Sequence, residues 1–209
     1  TGINYDDLHS YLYVSDDYGK NWRSINKGLP DEPVNVILED PTNENILYAG
    51  GLRGVYISID RGVTWSCLGQ QIPDVAIADL EIQLQTMELV VATHGRGIYK
   101  IELLPIQKMA TLNLPVNQDH LFEVQDAKRP RYNAWGGHPD YSTAEKISFT
   151  FWVKNAGKIK LAVVDTAGKE VWTNDLQGKA GFNQYNWDMI VSREKSDLPY
   201  FVHYEKFIK

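Results

Sequence analysis

The sequence predicts an all-β protein, and three observations carry that prediction. A ten-residue stretch at 13–22 recurs 43 residues later at 56–65, each time on the pattern Ser-x-Asp-x-Gly-x-x-Trp. The matching residues are Ser15, Asp17, Gly19 and Trp22, then Ser58, Asp60, Gly62 and Trp65. β-branched and aromatic residues recur in short runs bounded by turn signals, which favours sheet. Six tryptophans and twelve tyrosines, in a chain 43% hydrophobic and 23% charged, fit a soluble β-rich protein with a sizeable core.

The motif itself reads as a hairpin turn. Apolar residues lead into each copy. The Asp can accept hydrogen bonds from N–H groups of its own turn. The Gly supplies a positive φ that a Cβ would penalise. The Trp can pack on a neighbouring repeat and still find a partner for its N–H. These roles are structural and provide no catalytic group.

The period extends past the two turns. Tyr13, Tyr56 and Tyr99 are in register, and Gly54-Val55-Tyr56 matches Gly97-Ile98-Tyr99. Leu47-Tyr48-Ala49-Gly50 matches Val90-Val91-Ala92-Thr93. A period of about 40–45 residues made of short strands is the signature of a β-propeller blade. Strands are predicted at 11–15 and 21–25 around the first turn. Those at 34–39, 46–49, 55–59 and 64–68 make one complete four-stranded blade. Those at 75–80, 89–92 and 98–103 make most of another. The third copy loses the motif, with Ile101 and Leu103 where Ser58 and Asp60 stood. Residues 1–103 are thus a partial β-propeller of about two blades. Propellers typically close with about 4–8 blades, and open strand edges are avoided in soluble proteins. The expectation is that the chain is the C-terminal piece of a longer protein, or that it packs against another chain.

Residues 104–143 carry scattered prolines and read as a linker with one short strand near 121–124. From 144 to 209 the chain reads as an immunoglobulin-like β-sandwich. Strands are predicted at 147–153, 159–164, 170–173, 181–188 and 200–207, with Asp165-Thr166-Ala167-Gly168 as a hairpin turn.

Composition excludes several classes. A net charge of −6 argues against nucleic-acid binding, which needs a basic face. No apolar run approaches the roughly 20 residues of a membrane-spanning helix. The first residues show neither the basic start nor the apolar core of a signal peptide. Cys67, alone of its type, excludes an internal disulfide and is expected as a small half-buried strand residue. The five histidines lack zinc spacing, and no phosphate-cradling loop or dinucleotide fingerprint occurs, so neither metal nor cofactor is expected.

With these residues in view, residues 8–103 resemble the Asp-box, or BNR-repeat, propellers. The closest likeness is to bacterial sortilin-like proteins often labelled glycosyl hydrolases, through 13–22, Gly28-Leu29-Pro30, Glu39-Asp40-Pro41, Leu47-Tyr48-Ala49-Gly50 and Thr93-His94-Gly95-Arg96-Gly97-Ile98-Tyr99. Residues 145–207, with Val164-Asp165-Thr166-Ala167-Gly168-Lys169 and Asn186-Trp187-Asp188, resemble the Ig-like domain of flagellar hook-capping proteins. The closing Gly-x-Tyr strand of that domain is not evident. The resemblance implies an exported or surface protein of a bacterium, extracellular or periplasmic. It carries over no catalytic residue.

Three functional readings follow. The preferred one is a binding and scaffold module without catalysis of its own. Its partners are the remainder of the parent propeller or another chain, and a polysaccharide or a peptide. The second is one wall of a polysaccharide-acting glycoside hydrolase, which would need paired carboxylates. Asp16, Asp17, Asp60, Asp74, Asp79 and Glu81 are candidates by type alone. The third is a sortilin-like receptor for peptides. The binding candidates are His94 and Arg96, in a glycine-rich loop between strands, and Trp135. Arg96 could meet a ligand carboxylate, or simply cap carbonyls of its own loop. Trp135 with His138 and Tyr141 could form a sugar platform, or anchor the linker.

Overall fold

The computed structural model describes residues 6–69, 72–127 and 146–189. Strand is the dominant regular structure of the described residues, arranged as small antiparallel sheets with one short helix. β1 (Tyr13–Val14) and β2 (Arg23–Ser24) form a hairpin around the first motif. β3 (Val36–Glu39), β4 (Leu47–Gly50), β5 (Val55–Ser58) and β6 (Ser66–Cys67) follow as a four-stranded meander, with the second motif joining β5 to β6. β7 (Ile77–Gln83), β8 (Glu88–Thr93) and β9 (Ile98–Glu102) make a three-stranded sheet.

These three units stack in chain order because the middle sheet is apolar on both faces. All four residues of β4 and of β5 are buried. One face, with Leu47, Ala49, Tyr56 and Trp65, packs on Leu12 and Ile25 of the hairpin. The other, with Tyr48, Val55 and Ile57, packs on Leu80, Leu89, Val91 and Ile101 of the third sheet. A strand buried on both sides reads as a continuous apolar run, as Val55-Tyr56-Ile57 does.

The 43-residue register breaks in one strand. Leu38 pairs with Tyr48, whereas Glu81 pairs with Val90. Val90, not Val91, therefore occupies the place of Tyr48. The connection 84–87 is shorter than its counterpart 40–46, and a one-residue slip exchanges the faces of a strand. Val91 accordingly turns inward and is fully buried. Cys67 in β6 is exposed rather than half-buried.

The segment read as a linker contains helix α1 (Leu104–Thr111). Its Pro105 was a helix-breaking signal, but proline is tolerated in the first turn, where the N–H has no partner anyway. Ile106 and Met109, one turn apart, are buried in the first core.

The C-terminal region forms two further sheets. β10 (His120–Leu121), β11 (Ile147–Val153) and β14 (Gly181–Trp187) make one, and β12 (Gly157–Val164) with β13 (Glu170–Gly178) make the other. Phe149, Phe151, Leu161, Val163, Val171 and Trp187 form the core there. Asp165 closes the β12–β13 turn by accepting from the N–H groups of Ala167 and Lys169. The strand expected at 200–207 lies outside the described residues.

The two regions share a core. Trp152 and Phe182 are buried with Leu68 and Ile106 in the first cluster. The Phe182 N–H donates to the Leu68 carbonyl at 2.8 Å, and Gly69 bridges to Phe182 in parallel register. Gly69 has φ +115°, and a Cβ there would collide with the Phe182 carbonyl. The native chain is therefore expected to melt in one calorimetric transition. Gly69→Val should cost about 2–4 kcal/mol, from strain plus lost burial, and split the melt into two.

Candidate functional site

The two motifs fold as the same hydrogen-bonded turn. Ser15 Oγ donates to Asp17 Oδ1 at 2.9 Å and accepts from the Gly19 N–H at 2.7 Å. Asp17 Oδ1 also accepts from the Asn21 N–H, and its Oδ2 from the Asn21 amide. In the second copy Ser58 Oγ donates to Asp60 and accepts from the Gly62 N–H, each at 2.8 Å. Asp60 takes the Thr64 N–H on one oxygen and the Thr64 hydroxyl on the other. Gly19 and Gly62 have φ +84° and +81°, as such a turn requires. The Asn21 N–H, then its amide, then the Ser15 hydroxyl hold the Asp17 carboxyl below the ordinary value. Both oxygens of each carboxylate are engaged within the turn.

The two tryptophans differ. Trp65 is 5% exposed, lies on the first hairpin, and donates its indole N–H to the Ile25 carbonyl at 2.5 Å. Trp22 is 63% exposed and turns its N–H back to Gly19 O.

Two buried carboxylates escaped the sequence reading. Asp40 anchors the 40–46 connection: it accepts from the Thr42 N–H and hydroxyl, the Asn43 N–H, the Tyr48 hydroxyl and the Gln107 amide of α1. Its Asp-Pro-Thr-Asn run signalled the turn, while the reach to Tyr48 and Gln107 is tertiary. Burial pushes its carboxyl up, but Thr42, Gln107 and Tyr48 together bring it below the ordinary value. Burial, then Asp40, raises the Tyr48 hydroxyl far above its usual range. Glu32 accepts from the Tyr56 hydroxyl at 3.0 Å and the Arg53 N–H at 3.1 Å, and its second oxygen lies 3.4 Å from Arg53 Nε.

The 93–97 loop is a tight connection from β8 to β9. Thr93 Oγ1 donates to the Gly97 carbonyl and accepts from the Arg96 N–H. The His94 N–H is held by the Ala76 carbonyl. The side chains of His94 and Arg96 are exposed. Arg96 is in register with Arg53, but Val75 stands 43 residues after Glu32, so the acid that pairs with Arg53 has no counterpart. Trp135, His138 and Tyr141 lie outside the described residues.

Of the remaining acidic candidates, Asp16 pairs with Arg23 and Arg61, Asp74 with Lys179, and Asp79 and Glu81 lie exposed on β7. Among the described residues no group of three or more His, Cys, Asp or Glu could hold a metal ion. No helix among them is long and apolar enough to cross a membrane. A cavity of about 310 Å³ lies between β10–β11 and β12, lined by Phe149, Phe151, Leu161 and Val163. Comparison with protein-family models, curated proteins and solved structures finds no match to this chain.

Trp65→Ala should cost about 3–5 kcal/mol in denaturant unfolding, as removal of a buried Trp does. Trp22→Ala should stay within about 0.5 kcal/mol, the range of surface changes. Because Asp40 is depressed in the folded state, its stabilisation is present above the ordinary value of 3.8 and fades as pH falls through the lower folded value. Asp40→Asn should flatten the loss of stability below about pH 4, read by thermal melts across that window.

Proposed function

We propose that this chain is part of a larger exported Asp-box β-propeller protein, and that it is a binding and scaffold module for polysaccharide without a catalytic group of its own. In this reading the stacked units of residues 13–102 are successive blades, and residues 147–187 belong to an Ig-like spacer or interaction module. The observation that carries it is the contrast between the acids and Arg96. The acids of the motifs are consumed by their turns. Arg96 stands exposed on a tight loop, without the carboxylate that its counterpart Arg53 has. A planar guanidinium exposed in this way suits a carboxylate on a sugar ring.

Isothermal calorimetry with polygalacturonate and with a neutral glucan tests the reading. Polygalacturonate should bind more tightly. Arg96→Ala should weaken it about tenfold, the worth of one charge-assisted contact. Absence of binding to either polymer refutes the module. Release of reducing ends by the purified chain would make it an enzyme instead.

A further inference from the structure

The first hairpin has two deficits that one partner would fill. Its outward face is aromatic and bare: Tyr13 is 53% exposed and Trp22 is 63% exposed. One period later the same positions, Tyr56 and Trp65, are 9% and 5% exposed, because the hairpin covers them. Its edge is also open among the described residues. β5 pairs with both β4 and β6, whereas β1, its counterpart, pairs among the described residues with β2 alone.

The other end of the stack is charged. On the outer face of the third sheet Glu81 and Lys100 replace Leu38 and Ile57 of the middle sheet, both 43 residues earlier. Asp79, Glu81, Lys100 and Glu102 are exposed there, with Lys100 paired to Glu88 at 2.7 Å.

We infer that the Tyr13–Trp22 face and the β1 edge, rather than the charged outer face of the third sheet, are a docking surface for one preceding layer of the same repeat. The inference rests on the layered reading above and specifies where the partner binds. The chain shows what the partner must offer. Its hairpin needs an inward apolar pair like Leu12 and Ile25 and a main-chain carbonyl for the indole N–H of Trp22. It also needs a glycine like Gly28, where a Cβ would lie 2.9 Å from the Trp65 carbonyl. Two strands like β3 and β4 would then complete the β1–β2 sheet. A second copy fits poorly, because its own Ile25 carbonyl is occupied by Trp65 and its far face is charged.

A tandem chain tests this, made by inserting a copy of residues 8–50 ahead of residue 8, which sets the original Trp22 one period after a new hairpin. In the parent chain Trp22→Lys should move the melting temperature by about 1 °C or less, but in the tandem chain it should lower it by roughly 4 °C or more. Hydrogen exchange at the Trp22 indole should slow at least about tenfold in the tandem chain. Equal shifts in the two chains with unchanged exchange would overturn the inference. So would a tandem chain that fails to fold where the parent folds, or a parent dimer in sedimentation that Trp22→Lys abolishes. Failure of polysaccharide binding alone would leave these results standing, so the two proposals fail separately.

Discussion

The contact between Trp65 and the first hairpin holds the N-terminal layers in order. A two-stranded hairpin is at best marginally stable by itself in water. β1 and β2 share only two paired positions each, so their own hydrogen bonds supply little. Trp65 changes this by laying a large apolar ring over Ile25 and bonding the Ile25 carbonyl, which couples one repeat's turn to the preceding repeat's strand. Gly28 and Gly62 make room for that approach, the first against the Trp65 backbone and the second against the Ile25 side chain.

Carboxylates serve the same architecture from within. Asp17 and Asp60 close turns, Glu32 ties a connection to Tyr56, and Asp40 ties another to Tyr48 and α1. At Glu32 and Asp40 the carboxylate also takes a tyrosine hydroxyl that would otherwise lose water on burial. The donors around Asp17 and Asp40 hold those two carboxyls below the ordinary value, which makes them unsuited to delivering a proton near neutral pH.

The join between the two regions relies on shape as well as charge. Gly69 and Gly181 let backbones approach more closely than a side chain would allow, and Phe182 and Trp152 then fill the first core from the second region. α1 completes the floor of that core with Ile106 and Met109. A segment rich in proline thus contributes packing to both sides, with the Trp152 indole N–H fixed on the Val116 carbonyl.

The motif spacing determined the β-rich class, the two turns, most strand positions and the in-register arginines, because each depends on residues close in sequence. Local patterns of turn chemistry and alternation suffice for such features. Tertiary structure decided the rest. The one-residue shift of β8 depends on how a short connection closes against a partner strand. α1 depends on a core waiting for Ile106 and Met109. Asp40 and Gln107, 67 positions apart, meet only when the sheets have stacked. Trp22 and Trp65 carry the same motif yet differ in burial, because burial depends on what lies opposite, and no residue encodes its neighbour's presence.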